Sequence, residues 1–293
     1  MVKLLFRMVA ALPLRVVHAI AGLLGRMVFW LSPAYRRRLR ENLASAGYGD
    51  PALAVLAAAE AGKQALEAPW IWMRPRAELL DGLIEEPANL SVLDAMLRDD
   101  RPIVFLTPHL GCFEVTTHWF AASVSPSLRR QLTVLYRVPR KSVLRGVLAE
   151  ARASEGVAPV PADISGVRKL MRAMKRGEAV GILPDQVPSR GEGTWAPFFG
   201  RAAYTMTLPA KLARQFDGVV AFVWGERLSR GRGWRIHLKR LEEPFTGDSA
   251  QDAAIVNRGL EALIRQCPAQ YLWGYNRYKA PAGAASPTSR PPT

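Results

Sequence analysis

A histidine and a glutamate, His109 and Glu114, stand five positions apart in the segment TPHLGCFE over residues 107–114. The segment follows a short apolar run, PIVFLT, whose β-branched content predicts a buried strand. Gly111 permits a tight turn into a helix, so that Glu114 can fold back toward the imidazole. A carboxylate on one ring nitrogen fixes the tautomer and raises the basicity of the other, which is the arrangement of a general base in acyl transfer. A histidine that only caps a helix is the alternative.

The spacing itself is weak evidence, because His237 and Glu242 repeat it. His237 lies in an alternating segment, residues 234–241, in which residues five apart point to opposite faces of a sheet. We therefore expect no contact between that histidine and Glu242. The strand-to-helix corner, and not the spacing, is what favours His109.

Short apolar runs alternate with amphipathic helices along the chain. The predicted strands cover residues 102–107, 132–136, 157–159, 179–183, 218–224 and 234–241; the predicted helices cover 51–68, 88–99, 143–154, 166–175, 206–215 and 252–266. This order predicts an α/β fold with a mixed sheet flanked by helices on both faces. Ligands collect beyond the carboxyl ends of strands in such sheets. Two polar clusters stand there, 108–114 and Asp185–Gln186.

The formal net charge is +15, which favours nucleic acid, an anionic membrane surface or phosphorylated substrates as partners. Eight basic residues precede the first acidic one, Glu41. These charges adjoin the most apolar part of the chain, and no nucleic-acid-binding motif is recognisable. We therefore expect contact with an anionic membrane and not with nucleic acid.

Residues 1–40 are predicted to form a basic amphipathic arm that anchors the protein to a membrane. The polar side chains of its helix fall within an arc of roughly 140° and would face the headgroups; they are Lys3, Arg7, Arg15, His18 and Arg26. These charges interrupt the apolar runs before about 18 residues are reached, so a membrane-spanning helix is not clearly indicated. Packing of the helix on the protein's own core is the other alternative. Pro13 is predicted to bend the helix or to start a new one.

The two cysteines, Cys112 and Cys267, have no metal-ligand spacing and make no disulfide framework. We expect reduced thiols in a cytoplasmic compartment, with no metal and no cofactor. Cys112 stands next to the histidine, so a nucleophilic cysteine is an alternative. A helical position that points away from His109 is equally compatible with the sequence.

Five ordered blocks resemble the lipid A late acyltransferases, a family within the lysophospholipid acyltransferase superfamily. The blocks are H-x-G-x-x-E at 109–114, Tyr136–Arg137, RGEAVGILPDQ at 176–186, PFFG at 197–200 and PAQYLWGYNRYK at 268–279. The resemblance covers nearly the whole chain. Cys112 and Phe113 depart from it, because Asn and Trp are frequent at those positions. Under this resemblance residues 41–280 are the acyltransferase domain. Residues 281–293, which are rich in Pro, Ala, Ser and Thr, are predicted to be a disordered tail.

The resemblance implies transfer of a secondary fatty acyl chain from acyl carrier protein to a phosphorylated glycolipid, a lipid A precursor. The enzyme would work at the cytoplasmic face of the inner membrane. His109 would be the general base and Glu114 its orienter, while Arg137 and Asp185 match polar active-site positions. Backbone amides near Gly111, or the Arg137 guanidinium, are the candidate donors to the oxyanion.

Several alternatives stay open. Arg137 and Asp185 would otherwise form a structural ion pair, or Asp185 would cap the turn after Pro184. The aromatic block at 271–278 is predicted to pack beside the site. The same histidine chemistry would also suit a glycerolipid or another glycolipid as acceptor. A non-enzymatic basic protein that binds membranes or nucleic acid is the alternative of another class.

Overall fold

The computed structural model describes residues 2–124, 131–136 and 156–284. The N-terminal arm consists of helices α1 (Val2–Ala11) and α2 (Leu14–Leu31), followed by α3 (Pro33–Ser45) and α4 (Pro51–Met73). Pro13 lies between α1 and α2, which confirms the predicted break. The Asp50 carboxylate accepts a hydrogen bond from the Ala52 N–H at 2.8 Å and so caps α4.

Seven strands form the main sheet, and two more form a separate hairpin. In chain order they are β1 (Leu83–Glu85), β2 (Ile103–Leu106), β3 (Leu132–Tyr136), β4 (Val157–Pro161), β5 (Ala179–Ile182), β6 (Gly193–Phe198), β7 (Arg201–Met206), β8 (Val219–Arg227) and β9 (Trp234–Arg240). The order across the main sheet is β1-β9-β8-β2-β5-β3-β4. All neighbours are parallel except β8 and β9, so the predicted mixed sheet is confirmed.

The remaining helices cover both faces of this sheet. They are α5 (Arg76–Asp81), α6 (Pro87–Leu97), α7 (Val115–Trp119), α8 (Ile164–Lys175), α9 (Leu208–Gln215) and α10 (Ser249–Ile264). A π-helical turn, Phe120–Val124, continues α7. The predicted helices are confirmed to within a few residues at most ends, and α4 runs five residues further than predicted. The predicted helix at 143–154 lies outside the described residues, as do residues 285–293 of the predicted tail.

The central strands β2 and β5 are buried along their whole length. Successive side chains of β2 enter different hydrophobic clusters: Val104 belongs to the cluster that contains Leu170 of α8, and Phe105 belongs to the one that contains Trp119 of α7. A strand that is covered on both faces needs a continuous apolar run, which explains the PIVFLT segment.

The arm packs on α4 through small residues. An ideal Cβ on Gly25 would lie 2.1 Å from the Ala58 carbonyl oxygen, and one on Gly62 would lie 2.2 Å from that of Ala21. Only glycine permits this approach of the two helices. The side of α2 that faces away from α4 is apolar; its exposed members are Ile20, Leu23, Leu24, Met27, Val28, Trp30 and Leu31.

The prediction that His18 belongs to a stripe facing headgroups is wrong. His18 is buried, and its Nε2 lies 2.9 Å from Glu67 Oε1 of α4. The other four basic residues of the stripe, Lys3, Arg7, Arg15 and Arg26, are exposed. One face of α2 therefore packs on the protein and the other is free for a membrane. In the described part of the chain, α2 is also the one helix whose length and composition would allow it to cross a membrane.

We expect Gly25→Ala to lower the free energy of unfolding by about 1–3 kcal/mol, because the added methyl group forces α2 away from α4. Thermal unfolding in detergent measures this change. Gly22→Ala is the matched control in the same helix. Its Cβ would meet the flexible Lys63 Cε at 3.4 Å and the Ala59 Cβ at 3.8 Å, and alanine favours the helix. Equal effects of the two substitutions would contradict close packing at Gly25.

Candidate active site

The turn after β2 holds His109 at the carboxyl edge of the sheet. Gly111 adopts a φ of 58°, and an ideal Cβ there would lie 2.1 Å from the Gly225 carbonyl oxygen. Its N–H donates to the Gln270 carbonyl at 3.1 Å, and the Cys112 N–H donates to the Gly225 carbonyl at 2.8 Å. The turn is thus tied both to β8 and to the C-terminal segment. A side chain at Gly111 would break these contacts.

His109 pairs with Asp185, which stands just beyond the neighbouring strand β5. His109 Nδ1 lies 2.8 Å from Asp185 Oδ1, and the His109 backbone N–H donates to Oδ2 at 3.0 Å. Asp185 is 2% exposed. Burial raises the pKa of this carboxyl group, but its interactions with His109 outweigh burial and lower the pKa overall. An ionised Asp185 therefore holds the proton of His109 on Nδ1 and leaves Nε2 as the basic atom.

The side-chain amide nitrogen of Gln186 lies 3.1 Å from His109 Nε2. His109 therefore has a neighbour on each ring nitrogen, with the charged one on Nδ1. The side chain of His109 is 13% exposed and lines a cavity, so Nε2 is on the side that a substrate can reach. A general base requires this arrangement, in which one ring nitrogen is held by a carboxylate and the other is open to the substrate.

The carboxylate that the structure places on His109 Nδ1 differs from the one expected from the sequence. The expectation assigned the orienting role to Glu114. Glu114 is buried at the start of α7, lines the same cavity, and accepts a hydrogen bond from Trp72 Nε1 at 3.1 Å. Sequence spacing shows only local neighbours, whereas parallel pairing of β2 with β5 brings Asp185 to the same edge from 76 positions away.

The remaining expectations about the turn have mixed outcomes. Arg137 lies outside the described residues. The Gly111 N–H, one of the predicted candidate donors to the oxyanion, donates to the Gln270 carbonyl at 3.1 Å in the structure. Cys112 is buried, and burial raises the pKa of its thiol well above the usual value. A protonated, inaccessible thiol is no nucleophile, so that alternative is excluded.

Two further expectations are confirmed. Tyr271 and Trp273 of the aromatic block are buried in the core, and the Leu272 N–H donates to the His109 carbonyl at 3.1 Å. This block therefore supports the turn from behind. His237 Nε2 lies 2.8 Å from Glu226 Oε2 of the neighbouring strand β8, so its partner is a residue other than Glu242.

A cavity of about 970 Å³ opens beside His109, which is near the upper end of the range for small-molecule sites. Aromatic and aliphatic side chains of β2, β3 and the α7 region form one wall; they include Phe105, Trp119, Phe120, Leu132 and Val134. The first half of α8 and the start of α9 border another side. Among the described residues, no group of three His, Cys, Asp or Glu side chains is placed to hold a metal ion.

A buried ion network contacts the turn at His109–Gly111 from the other side. Arg227 of β8 donates to Glu67 Oε2 from Nε at 2.9 Å and from Nη2 at 2.7 Å, and to Glu60 Oε2 at 2.7 Å. The same guanidinium donates to the Gly111 carbonyl at 3.0 Å. Burial raises the pKa of Glu67, but Arg227 and His18 outweigh it and bring the pKa down to about 2.

Sequence reasoning missed this network: it predicted the helix over residues 51–68 but gave Glu60 and Glu67 no role. One signal was present: the two glutamates are seven positions apart in an Ala-rich helix and so share one face. Nothing in the sequence identified Arg227 as their partner among 40 basic residues.

Comparison with known proteins gives concordant matches. A family model described as bacterial lipid A biosynthesis acyltransferase matches residues 1–280. A lipid A biosynthesis palmitoleoyltransferase of Escherichia coli K12 is 28% identical over 161 residues, which are 54% of this chain and 52% of that protein. A lipid A biosynthesis lauroyltransferase of the same organism is 28% identical over 127 residues, 42% of each chain. The chain thus aligns with about half the length of these relatives or less.

We expect Arg227→Met to lower the free energy of unfolding by about 3–5 kcal/mol, because it leaves two buried carboxylates without their cation. Chemical or thermal unfolding of the purified protein measures this loss. Arg176→Met is the control: Arg176 pairs with Glu178 at 2.6 Å but its side chain is 54% exposed. Loss of such a surface pair should cost less than about 1 kcal/mol. A similar loss in the free energy of unfolding for both variants would argue against a supporting role of the buried network.

Proposed function

Because the chain belongs to the bacterial lipid A biosynthesis acyltransferases, we propose that it adds a secondary fatty acyl chain to a lipid A precursor, with acyl carrier protein as donor. The observation that carries this proposal is the His109–Asp185 pair beside a large, mostly apolar cavity. A buried carboxylate on Nδ1 and a cavity-facing Nε2 are what proton transfer from a hydroxyl requires. The apolar wall suits a fatty acyl chain.

In the proposed reaction the acceptor hydroxyl takes the place of the Gln186 amide at His109 Nε2. Nε2 removes the hydroxyl proton as the oxygen attacks the thioester carbonyl, and Asp185 stabilises the resulting imidazolium. When the tetrahedral intermediate collapses, the C–S bond breaks, the new C–O ester bond stays, and the imidazolium gives its proton to the leaving thiolate. A thioester is already activated, so the reaction needs no acyl-enzyme.

The tetrahedral oxyanion needs hydrogen-bond donors. The backbone N–H groups of residues 109 to 112 already donate to Asp185, Pro108, Gln270 and Gly225. We therefore assign the oxyanion to Arg137, the other candidate donor that the sequence offers. Glu114, on the cavity wall, is assigned to the acceptor side of the site.

We expect His109→Ala to abolish acyl transfer without unfolding the protein. Asp185→Asn should lower kcat by about three to four orders of magnitude, because an amide no longer selects the reactive tautomer. Consumption of acyl carrier protein thioester, with mass spectrometry of the lipid products, measures turnover and identifies the acceptor. Detection of an acylated glycerolipid, in place of an acylated lipid A precursor, would show that a glycerolipid is the acceptor.

His237→Gln is the control for these variants, because His237 pairs with Glu226 on β8 and β9, away from the cavity lining. It should retain turnover. Near wild-type kcat in Asp185→Asn would return the orienting role to Glu114. Unchanged turnover in His109→Ala would end the proposed mechanism altogether.

We also propose that residues 1–40 hold the enzyme on the cytoplasmic face of the inner membrane. The exposed apolar side of α2 adjoins basic residues that would contact anionic headgroups. The buried share of α2 is 39%, and a spanning position would strip it from α4 and break the His18–Glu67 contact. An arm that lies in the interface keeps both contacts.

We expect the triple substitution Leu23→Gln, Leu24→Gln and Met27→Gln to reduce flotation of the protein with vesicles that contain anionic lipids. These side chains are 58%, 45% and 47% exposed, so the change removes apolar surface without opening the core. The control replaces Ile84 and Leu90 by Gln; both are exposed apolar residues outside the arm. Equal flotation of wild type and triple variant would contradict anchoring through this face.

A further inference from the structure

Helix α8 presents a stripe of cations to solvent. Leu170, Ala173 and Met174 bury its inner face in the core. The outer face carries Arg168, Lys169, Arg172 and Lys175, all exposed, and begins with Ile164, which is 73% exposed. Positions 164, 168, 172 and 175 follow one line along the helix, over about 17 Å.

The cations of this stripe form no close ion pairs with the described residues. Within the described residues, none of the four has a carboxylate at ion-pair distance, whereas Arg176 at the end of the helix pairs with Glu178. Asp163 accepts hydrogen bonds from the Gly166 N–H and the Ser165 hydroxyl as the helix cap, and the charge of Lys169 contributes to lowering the pKa of its carboxyl group. Like charges spaced three and four apart destabilise a helix, so an anionic partner would relieve this repulsion.

One end of the stripe coincides with the rim of the cavity. Ile164, Val167, Arg168 and Met171 of α8 line the cavity, as does Lys211 of α9. Asp163 and Glu192 are acidic residues that also line the cavity, and the Glu192 carboxylate accepts a hydrogen bond from the Ser189 N–H at 3.2 Å. A partner that lies along α8 would therefore have one end at the opening beside which the thioester must react.

We propose that the exposed face of α8, residues 164–175, is the docking surface for the acyl carrier protein, and that it receives an acidic helix of that protein. This inference rests on the proposed function. A line of unpaired cations about three turns long complements carboxylates at similar spacing on a partner helix, and Ile164 offers an apolar contact at the end nearest the cavity. Such complementarity speeds encounter and sets register, and salt weakens it.

An anionic membrane is the competing occupant, and the structure of α8 favours the protein. A helix that lies in a bilayer interface turns its apolar face toward the acyl chains. The apolar face of α8 is buried in the core, and only Ile164 is a large exposed apolar residue on the outer face. The arm shows the opposite arrangement, with seven large apolar residues exposed on α2.

The test reverses three charges outside the cavity lining, with Lys169→Glu, Arg172→Glu and Lys175→Glu in the full-length enzyme. We expect the KM for acyl carrier protein thioester to rise at least about tenfold, with little change in kcat and a weaker dependence on salt. The matched control, Arg98→Glu, Arg232→Glu and Lys239→Glu, makes the same change of charge at exposed positions elsewhere and should keep the wild-type KM. A second variant with Gln at the same three positions, together with its Tm, shows whether a change in KM comes from misfolding.

The possible outcomes distinguish a failure of the docking surface from a failure of the proposed function. Partial recovery of the KM when acidic helix residues of the carrier are changed to Lys supports the docking surface. An unchanged KM in the Glu variant, while the wild type consumes the carrier thioester, overturns the surface alone. Loss of binding to anionic vesicles with an unchanged KM assigns the stripe to lipid and also overturns it. A wild type that consumes no carrier thioester overturns the proposed donor and the surface together.

Discussion

The buried contact of Arg227 with Glu60 and Glu67 ties together the elements that surround the site. It joins α4 to β8, and through Glu67 it reaches His18 of the arm and the Trp234 indole of β9. The Arg227 guanidinium also donates to the Gly111 carbonyl in the turn that holds His109. Charges buried this deeply are tolerated only when each has its partners. Arm, helix, sheet and turn therefore have to assemble in one arrangement.

The contact between His109 and Asp185 follows from the strand order of the sheet. β2 and β5 are parallel neighbours, so the residues that follow them meet at the same edge of the sheet. His109 leaves one strand and Asp185 the other, and both carboxylate oxygens of Asp185 are used to hold His109. The turn at Gly111 then directs the chain into α7 and carries Glu114 to the cavity wall. Asp185, after β5, and Glu114, at the start of α7, thus place two carboxylates from separate elements beside one site.

Helices α2 and α8 each combine an inward face that fits the protein with an outward face of distinct chemistry. α2 approaches α4 through glycines and exposes large apolar side chains. α8 packs on the sheet through Leu170 and Met174 and exposes cations. Exposed basic residues therefore lie on two surfaces of different composition. An apolar face beside basic residues suits a lipid interface, whereas a purely cationic face suits an acidic protein.

Local chemistry was enough to predict the alternating α/β order, the break at Pro13, the special position of Gly111 and the identity of the candidate base. Each of these depends on periodicity, ring geometry, a glycine conformation, or a histidine after a buried strand. The pair His237–Glu242 could be excluded in the same way, because alternation along a strand is also a local property.

Three features of the site had no local signal that identified them: Asp185 as the carboxylate on His109, the inward turn of His18, and the support of the turn by Arg227. Their contacts join residues 49 to 167 positions apart. Many side chains of the same type compete for each such partner along the chain. Strand pairing and helix packing select which of them meet, and these are properties of the folded molecule as a whole.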